Sequence, residues 1–255
     1  MINGVTIRQW DKALPEVNAL RASLGLEPFD HFFDVLSRAR RQLVLTSPDF
    51  DFPAELPANV RYVGAVLDDP GWARTTPWSP PPGEDPLVLV ALSSTFQDHA
   101  ETLQRIADAL GRPPVRGLLT TGPALEPGAL SPPANVTVVG AAPHSEVLRH
   151  AAAVVTHGGH GTVVRSLAAG VPMVVLPHGR DQADNATRLE MRGAALSLKR
   201  TASPDAVAAA VRRVLSEPSF REGAARLGES IRRDAASGAL LAELEDLPAV
   251  AGAGR

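Results

Sequence analysis

The stretch AVVTHGGHGTVVRSLAAGVPMVVLPHGRDQ, Ala153 to Gln182, decides the fold. It opens on a short apolar run, passes through three glycines and two histidines between His157 and Gly161, and continues with apolar residues at helical spacing. A second Val-rich run follows at Met173–Leu176. Strand, glycine turn, helix and strand in that order make a β-α-β unit.

Outward from this unit the same alternation repeats. The pattern predicts strands at Leu87–Leu92, Val115–Thr120, Val136–Val139, Ala153–Thr156, Met173–Leu176 and Ala195–Leu198. Helices are predicted at Asp98–Leu110, Ser145–His150, Thr162–Ala169 and Gln182–Arg192. Three more helices, near Pro204–Ser216, Ser219–Ala235 and Gly238–Leu247, close the chain. Short Val- and Leu-rich strands between amphipathic helices predict an α/β fold, a doubly wound Rossmann-like parallel sheet covered on both faces.

Upstream, Trp10–Leu24 and Phe29–Arg41 read as helices, Gln42–Thr46 and Val60–Val63 as short strands. These elements are few for an independent core. The run Asp68 to Pro86 carries Asp-Asp-Pro, Thr-Thr-Pro and Ser79-Pro80-Pro81-Pro82-Gly83, and reads as a semi-rigid linker. The expected division is residues 1–67, a partial domain; 68–86, the linker; 87–247, the complete sheet domain; and 248–255, a flexible tail.

Composition narrows the function. The 255 residues are 44% hydrophobic and 21% charged, which excludes a disordered chain, and the net charge of −3 gives no drive toward nucleic acid or an acidic membrane. The absence of cysteine removes disulfides, thiolate zinc sites and cysteine nucleophiles. Residues Met1–Asp11 lack the basic and apolar segments of a signal peptide, and no run is long enough to span a bilayer. A cytoplasmic protein without a membrane span is the expectation.

Ligands of open parallel sheets bind outside the carboxyl ends of the strands. The loops there are small and polar: Ser93-Ser94-Thr95, Thr121-Gly122, Ala142-Pro143-His144, His157-Gly158-Gly159-His160-Gly161-Thr162 and His178-Gly179-Arg180-Asp181-Gln182. Three glycines between a strand and a helix let backbone amides approach a ligand, and the helix start supplies unpaired N–H groups and partial positive charge. That is a diphosphate cradle, to which His157 and Thr162 can add side-chain donors. A tight turn in which glycine only solves packing is the alternative. His157 and His160, with His178 and Asp181, can instead be read as a tetrahedral metal set. Asp181 and Gln182 suit a ligand with adjacent hydroxyls; Asp181 also suits a helix N-cap.

The run from His157 to Leu198, with VALSSTFQDH (Val90–His99), LVLTSPDFDFP (Leu43–Pro53) and ANVRYVGAVLDDP (Ala58–Pro70), resembles the GT-B glycosyltransferases, in particular the actinobacterial macrolide-type family. The resemblance covers nearly the whole chain. It implies that Ser93, Ser94 and Thr95 line the phosphate side, and that His157, Gly159, Gly161 and Thr162, with Gly158 in the same loop, hold the diphosphate. It further implies that Asp181 and Gln182 bind the donor sugar and that Asn185 supports the phosphate end. Two positions depart from the family. Ala141-Ala142-Pro143-His144 replaces a segment that carries a stacking aromatic, which leaves Ala142 and His144 beside the base, and Arg165 replaces a ribose-binding glutamate.

The implied function is transfer of a hexosyl group from a UDP- or TDP-sugar to a small-molecule acceptor hydroxyl, with inversion, as in natural-product biosynthesis. No metal or other cofactor is expected. The family's catalytic base lies in an N-terminal domain of which this chain carries only the end, and neither His31 nor His99 matches it, so no catalytic residue is assigned. His31 is expected on a helix surface. A separate N-terminal-domain polypeptide, or self-association through Trp10, Phe29, Phe32 and Phe33, is the expected partnership; a catalytically silent nucleotide-sugar binder or truncated gene product is the alternative.

Overall fold

The computed structural model describes residues 4–74, 76–92, 100–123 and 125–247. The chain forms two compact units. The first comprises the residues up to Val44 together with Ala54–Tyr62; the second comprises Leu45–Pro53 and everything from Val63 onward.

In the first unit, helices α1 (Gly4–Trp10), α2 (Leu14–Ser23) and α3 (Asp34–Arg38) accompany strands β1 (Gln42–Val44) and β2 (Val60–Tyr62). The strands pair in parallel, Gln42 opposite Val60 and Val44 opposite Tyr62. Asn18 brackets Phe29, its Nδ2 donating to the Phe29 carbonyl at 3.0 Å and its Oδ1 accepting from the Phe29 amide at 2.9 Å. Phe29 is buried, with the Arg21 guanidinium 3.8 Å from its ring centre. The expected exposed aromatic surface is therefore smaller than its residue types suggest, because Trp10, Phe32 and Phe33 stack on one another at 5.0 to 5.8 Å. His31 lies in the bend before α3, not on a helix, with its Nδ1 2.9 Å from Asp11 Oδ2.

The second unit holds α4 (Gly71–Arg74), β3 (Leu87–Ala91), α5 (Ala100–Leu110), β4 (Arg116–Thr120) and β5 (Val136–Val139). It continues with α6 (His144–Leu148), β6 (Ala151–Thr156), α7 (His160–Ala168), β7 (Met173–Val175), α8 (Gln182–Met191) and β8 (Ala195–Ser197). The helices α9 (Pro204–Ser216), α10 (Pro218–Ala235) and α11 (Ala239–Glu245) follow. Strands β3 to β8 form one six-stranded sheet in the order β5-β4-β3-β6-β7-β8, every pairing parallel. The order reverses between β3 and β6. That reversal is where doubly wound sheets open a crevice for ligands.

The all-apolar strands follow from burial on both faces. In β3, Leu87, Leu89 and Ala91 join one core with Leu167 of α7, Leu189 of α8 and Ile231 of α10. Val88 and Val90 join the opposite core with Ile106 of α5 and Val211 of α9. Helix α9 starts where Ser203 Oγ accepts from the Ala206 amide at 3.3 Å ahead of a first-turn Pro204.

The expected linker, 68–86, lies within the second unit, whose bounds fall at Leu45–Pro53 and at Val63. Asp69, Ala73 and Pro81 are buried, Trp78 packs on the core, and Arg116 donates to the carbonyls of Pro81 at 2.5 Å and Asp85 at 2.8 Å. Prolines here give an extended strap its shape, and polar anchors tie it down. Leu45–Pro53 belongs to the same unit through Phe50, which is 2% exposed, and through Asp51, whose Oδ1 accepts from Arg188 Nε at 2.9 Å and Nη2 at 2.7 Å.

Candidate functional site

A cavity of about 260 Å³ opens at the carboxyl ends of the strands, around the reversal between β3 and β6. One wall is the start of α7, with His157, Gly159, Gly161 and Thr162. The opposite wall carries Thr120, Ala142 and His144. Arg165, Asp69 and Arg180 complete the lining relevant to charge.

Helix α7 begins at His160, with Gly159 in extended conformation at its N-cap and no side-chain cap. The amides of His160 and Gly161, at the head of the first turn, precede any helical acceptor, and the helix adds partial positive charge there. Thr162 and Val163 turn their N–H groups back to the Gly159 carbonyl, both at 3.1 Å. Gly158 has a φ of +89°, and a Cβ on it would lie 2.8 Å from Val175 Cγ1. A Cβ on Gly159 would lie 2.5 Å from His157 Nε2, so the glycine makes room for the imidazole.

Behind this loop stands a polar framework. Asn185, buried, donates through Nδ2 to the Gly158 carbonyl at 3.0 Å and to Asp181 Oδ2 at 2.9 Å. Gln182 is 2% exposed, and its Oε1 accepts from the amides of His178 at 2.7 Å and Gly179 at 3.1 Å. Of the Asp181-Gln182 pair, only Asp181 is exposed. Asp181 sits at the N-cap position of α8 without a side-chain capping bond, since its carboxylate takes Asn185 instead. Gly158, Asp181, Gln182 and Asn185 thus build the loops around the cavity, while Ser93, Ser94 and Thr95 lie outside the described residues.

Among the described residues no group of three or more His, Cys, Asp or Glu is arranged to hold a metal, so the set of His157, His160, His178 and Asp181 does not converge. The same residues include no helix long and apolar enough to cross a membrane.

Charge on the cavity wall is shaped by burial. His144, with its Nε2 3.1 Å from Thr120 Oγ1, has its pKa pushed down to about 4, first by burial and then by Arg165, against the pull of Asp69. Burial likewise lowers His160, opposed by Asp181, and lowers Arg165, opposed by Asp69. The unfolded value of His144 is 6.5, so between pH 6.5 and 4 the unfolded chain binds a proton that the folded chain excludes. Stability therefore declines as pH falls through that window, by about 3 kcal/mol in full. Denaturant midpoints from pH 7 to 4 should fall steeply in the wild type and less in His144→Gln. Parallel declines would place the linkage elsewhere.

Asp69, Thr120 and Arg180 are among the lining residues absent from the sequence-based site. Asp69 lies in the strap, in the Asp-Asp-Pro run. Thr120 ends β4. Arg180 has a φ of +57°, the one positive value among described non-glycine residues, beside Gly179. For Arg180 the loop position was a usable signal, since non-glycine residues in the left-handed region gather at functional sites.

A family model described as "UDP-glucoronosyl and UDP-glucosyl transferase" matches residues 1–240. The 4'-demethylrebeccamycin synthase of Lentzea aerocolonigenes is 36% identical over 210 residues, covering 80% of this chain and 49% of the relative. Among solved structures, the calicheamicin glycosyltransferase CalG4 superposes with a TM-score of 0.73 at 26% identity, over 91% of this chain and 59% of that one. The glycosyltransferase VinC, solved in complex with DTDP, gives 0.56 at 27% identity over 75% of this chain and 48% of its own. The chain spans about half the length of the curated relatives it matches. A match running from the first residue to residue 240, on the GT-B fold of solved glycosyltransferases, places the chain in the UDP-glycosyltransferase family.

Proposed function

We propose that this chain binds a nucleoside-diphosphate sugar and serves its transfer to an acceptor hydroxyl, the acceptor being bound by a further domain or polypeptide. The observation that carries this reading is the glycine-lined start of α7, opening on the cavity at the reversal of strand order. The diphosphate lies against the first-turn amides, with His157 and Thr162 as side-chain donors and no metal in the site. The nucleoside lies toward Ala142 and His144. Asp181, exposed and held by Asn185, receives the sugar hydroxyls.

In the reaction the acceptor oxygen attacks the anomeric carbon from the face opposite the phosphate, the carbon–oxygen bond to the diphosphate breaks, and the configuration inverts. Negative charge grows on the departing diphosphate. Amides fixed in place before the reaction stabilise that charge without reorganising. The acceptor's proton goes to a general base on the acceptor's side of the site.

Calorimetric titration of UDP, TDP and their glucose conjugates tests the reading. Saturable binding of at least one conjugate is expected, and heats of dilution alone for all four sink it. Asp181→Ala should weaken a nucleotide-sugar about tenfold and the free nucleotide little, because a lost charged hydrogen bond is worth about 1.5–3 kcal/mol. Equal losses would return Asp181 to a purely structural part.

A further inference from the structure

Asp69 and Arg165 both line the cavity, and each keeps one buried polar atom without a hydrogen-bond partner, Oδ1 and Nε. They stand 3.9 Å apart. Each side chain is anchored at its other end. Asp69 Oδ2 accepts from the Ser145 amide at 3.0 Å and from Ser145 Oγ at 2.6 Å, and Arg165 Nη1 donates to the Asp68 carbonyl at 3.2 Å.

The separation exceeds a direct hydrogen bond, yet both atoms are buried, where an unmet donor or acceptor is costly and calls for a partner. Two hydrogen bonds of about 2.8 Å that meet at one oxygen span this gap when they enclose an angle of about 90°. A single hydroxyl satisfies both atoms at once, accepting from Nε–H and donating to Oδ1. A carbonyl or phosphate oxygen can do only the first of these.

The place of the pair in the cavity indicates whose hydroxyl this is. Arg165 lies one turn along α7 from the diphosphate amides, its Nη2 3.3 Å from where a Cβ of Gly161 would stand. Asp69 is bound to Ser145, the second residue of α6, next to the wall formed by Ala142 and His144. A ligand with its diphosphate at α7 and its base at α6 has its pentose between them. We propose that Asp69 and Arg165 together form a receptor for a pentose hydroxyl of the nucleotide. The carboxylate that reads the sugar ring of the nucleoside then comes from the strap at residue 69, and the arginine on α7 is its counter-charge and second ligand. This rests on the proposed function, since it takes the cavity to hold a nucleoside diphosphate.

The experiment compares UDP, 2'-deoxy-UDP, 3'-deoxy-UDP and 2',3'-dideoxy-UDP by calorimetry on the whole chain. UDP is expected to bind at least tenfold more tightly than the dideoxy compound, and the two monodeoxy compounds identify which hydroxyl is held. Asp69→Ala should remove the preference by weakening UDP alone, whereas Ser145→Ala, which removes only the anchoring hydroxyl, should keep it. Equal affinity of the wild type for UDP and dideoxy-UDP overturns the proposal, as an ordered water filling the gap would produce; so does an equal loss of both ligands in Asp69→Ala. If Asp69→Ala does not fold, the wild-type series still decides. Should no nucleotide bind at all, the proposed function falls with it.

Discussion

Gly158→Ala is expected to destabilise the second unit by about 3 kcal/mol, lowering its melting temperature by roughly 8 °C for a chain of this size. Two effects add. The residue has a φ of +89°, where any β-carbon is strained, and that carbon would stand 2.8 Å from Val175 Cγ1 and 3.1 Å from the Gln182 carbonyl oxygen. Val175 is fully buried in β7 and has nowhere to retreat. Denaturant unfolding measures the loss. A change below about 1 kcal/mol would show that the β6–α7 turn relaxes freely, contrary to the pinning by Asn185.

His157→Ala is the largest expected effect on binding. The imidazole lines the cavity, is 8% exposed, and is bounded by Gly159 on one side and by Thr156 Oγ1, 3.4 Å from its Nδ1, on the other. A ring held this way meets a phosphate oxygen without losing further freedom, and hydrogen bonds to charged groups contribute about 1.5–3 kcal/mol. UDP affinity should fall at least tenfold, with stability changed by no more than about 1 kcal/mol. Unchanged affinity would remove His157 from the diphosphate site and leave the amides of α7 alone there.

The sheet was legible because its signal is local and repeated. The apolar runs of β3, β4, β6 and β7 are buried on both faces, so their composition alone marks them, and the glycine loop after β6 stands out against such strands. Errors at the ends were small, β6 beginning at Ala151 and not Ala153. Asp69 and Phe50 were not legible. Both lie in segments without periodicity, and their burial depends on partners far along the chain, Ser145 and Arg165 for one and the core beside α7 for the other. A proline-rich run looks the same in sequence whether it hangs free or is strapped to a core. Gln182 shows a subtler limit. Its residue type suits a sugar ligand equally well, and only the positions of the His178 and Gly179 amides reveal that its oxygen is occupied.

The strand order also bears on how the chain leaves the ribosome. Strand β3 is the first of the six to be synthesised, yet it ends up between β4 and β6. Its pairing with β4, and that of β4 with β5, can be complete once Val139 has emerged, but its other edge stays open until Thr156 follows. At about 5–20 residues per second that interval lasts roughly one to three seconds. Throughout it, five residues destined for full burial expose an unpaired edge, the condition under which nascent chains stick to one another or to a chaperone.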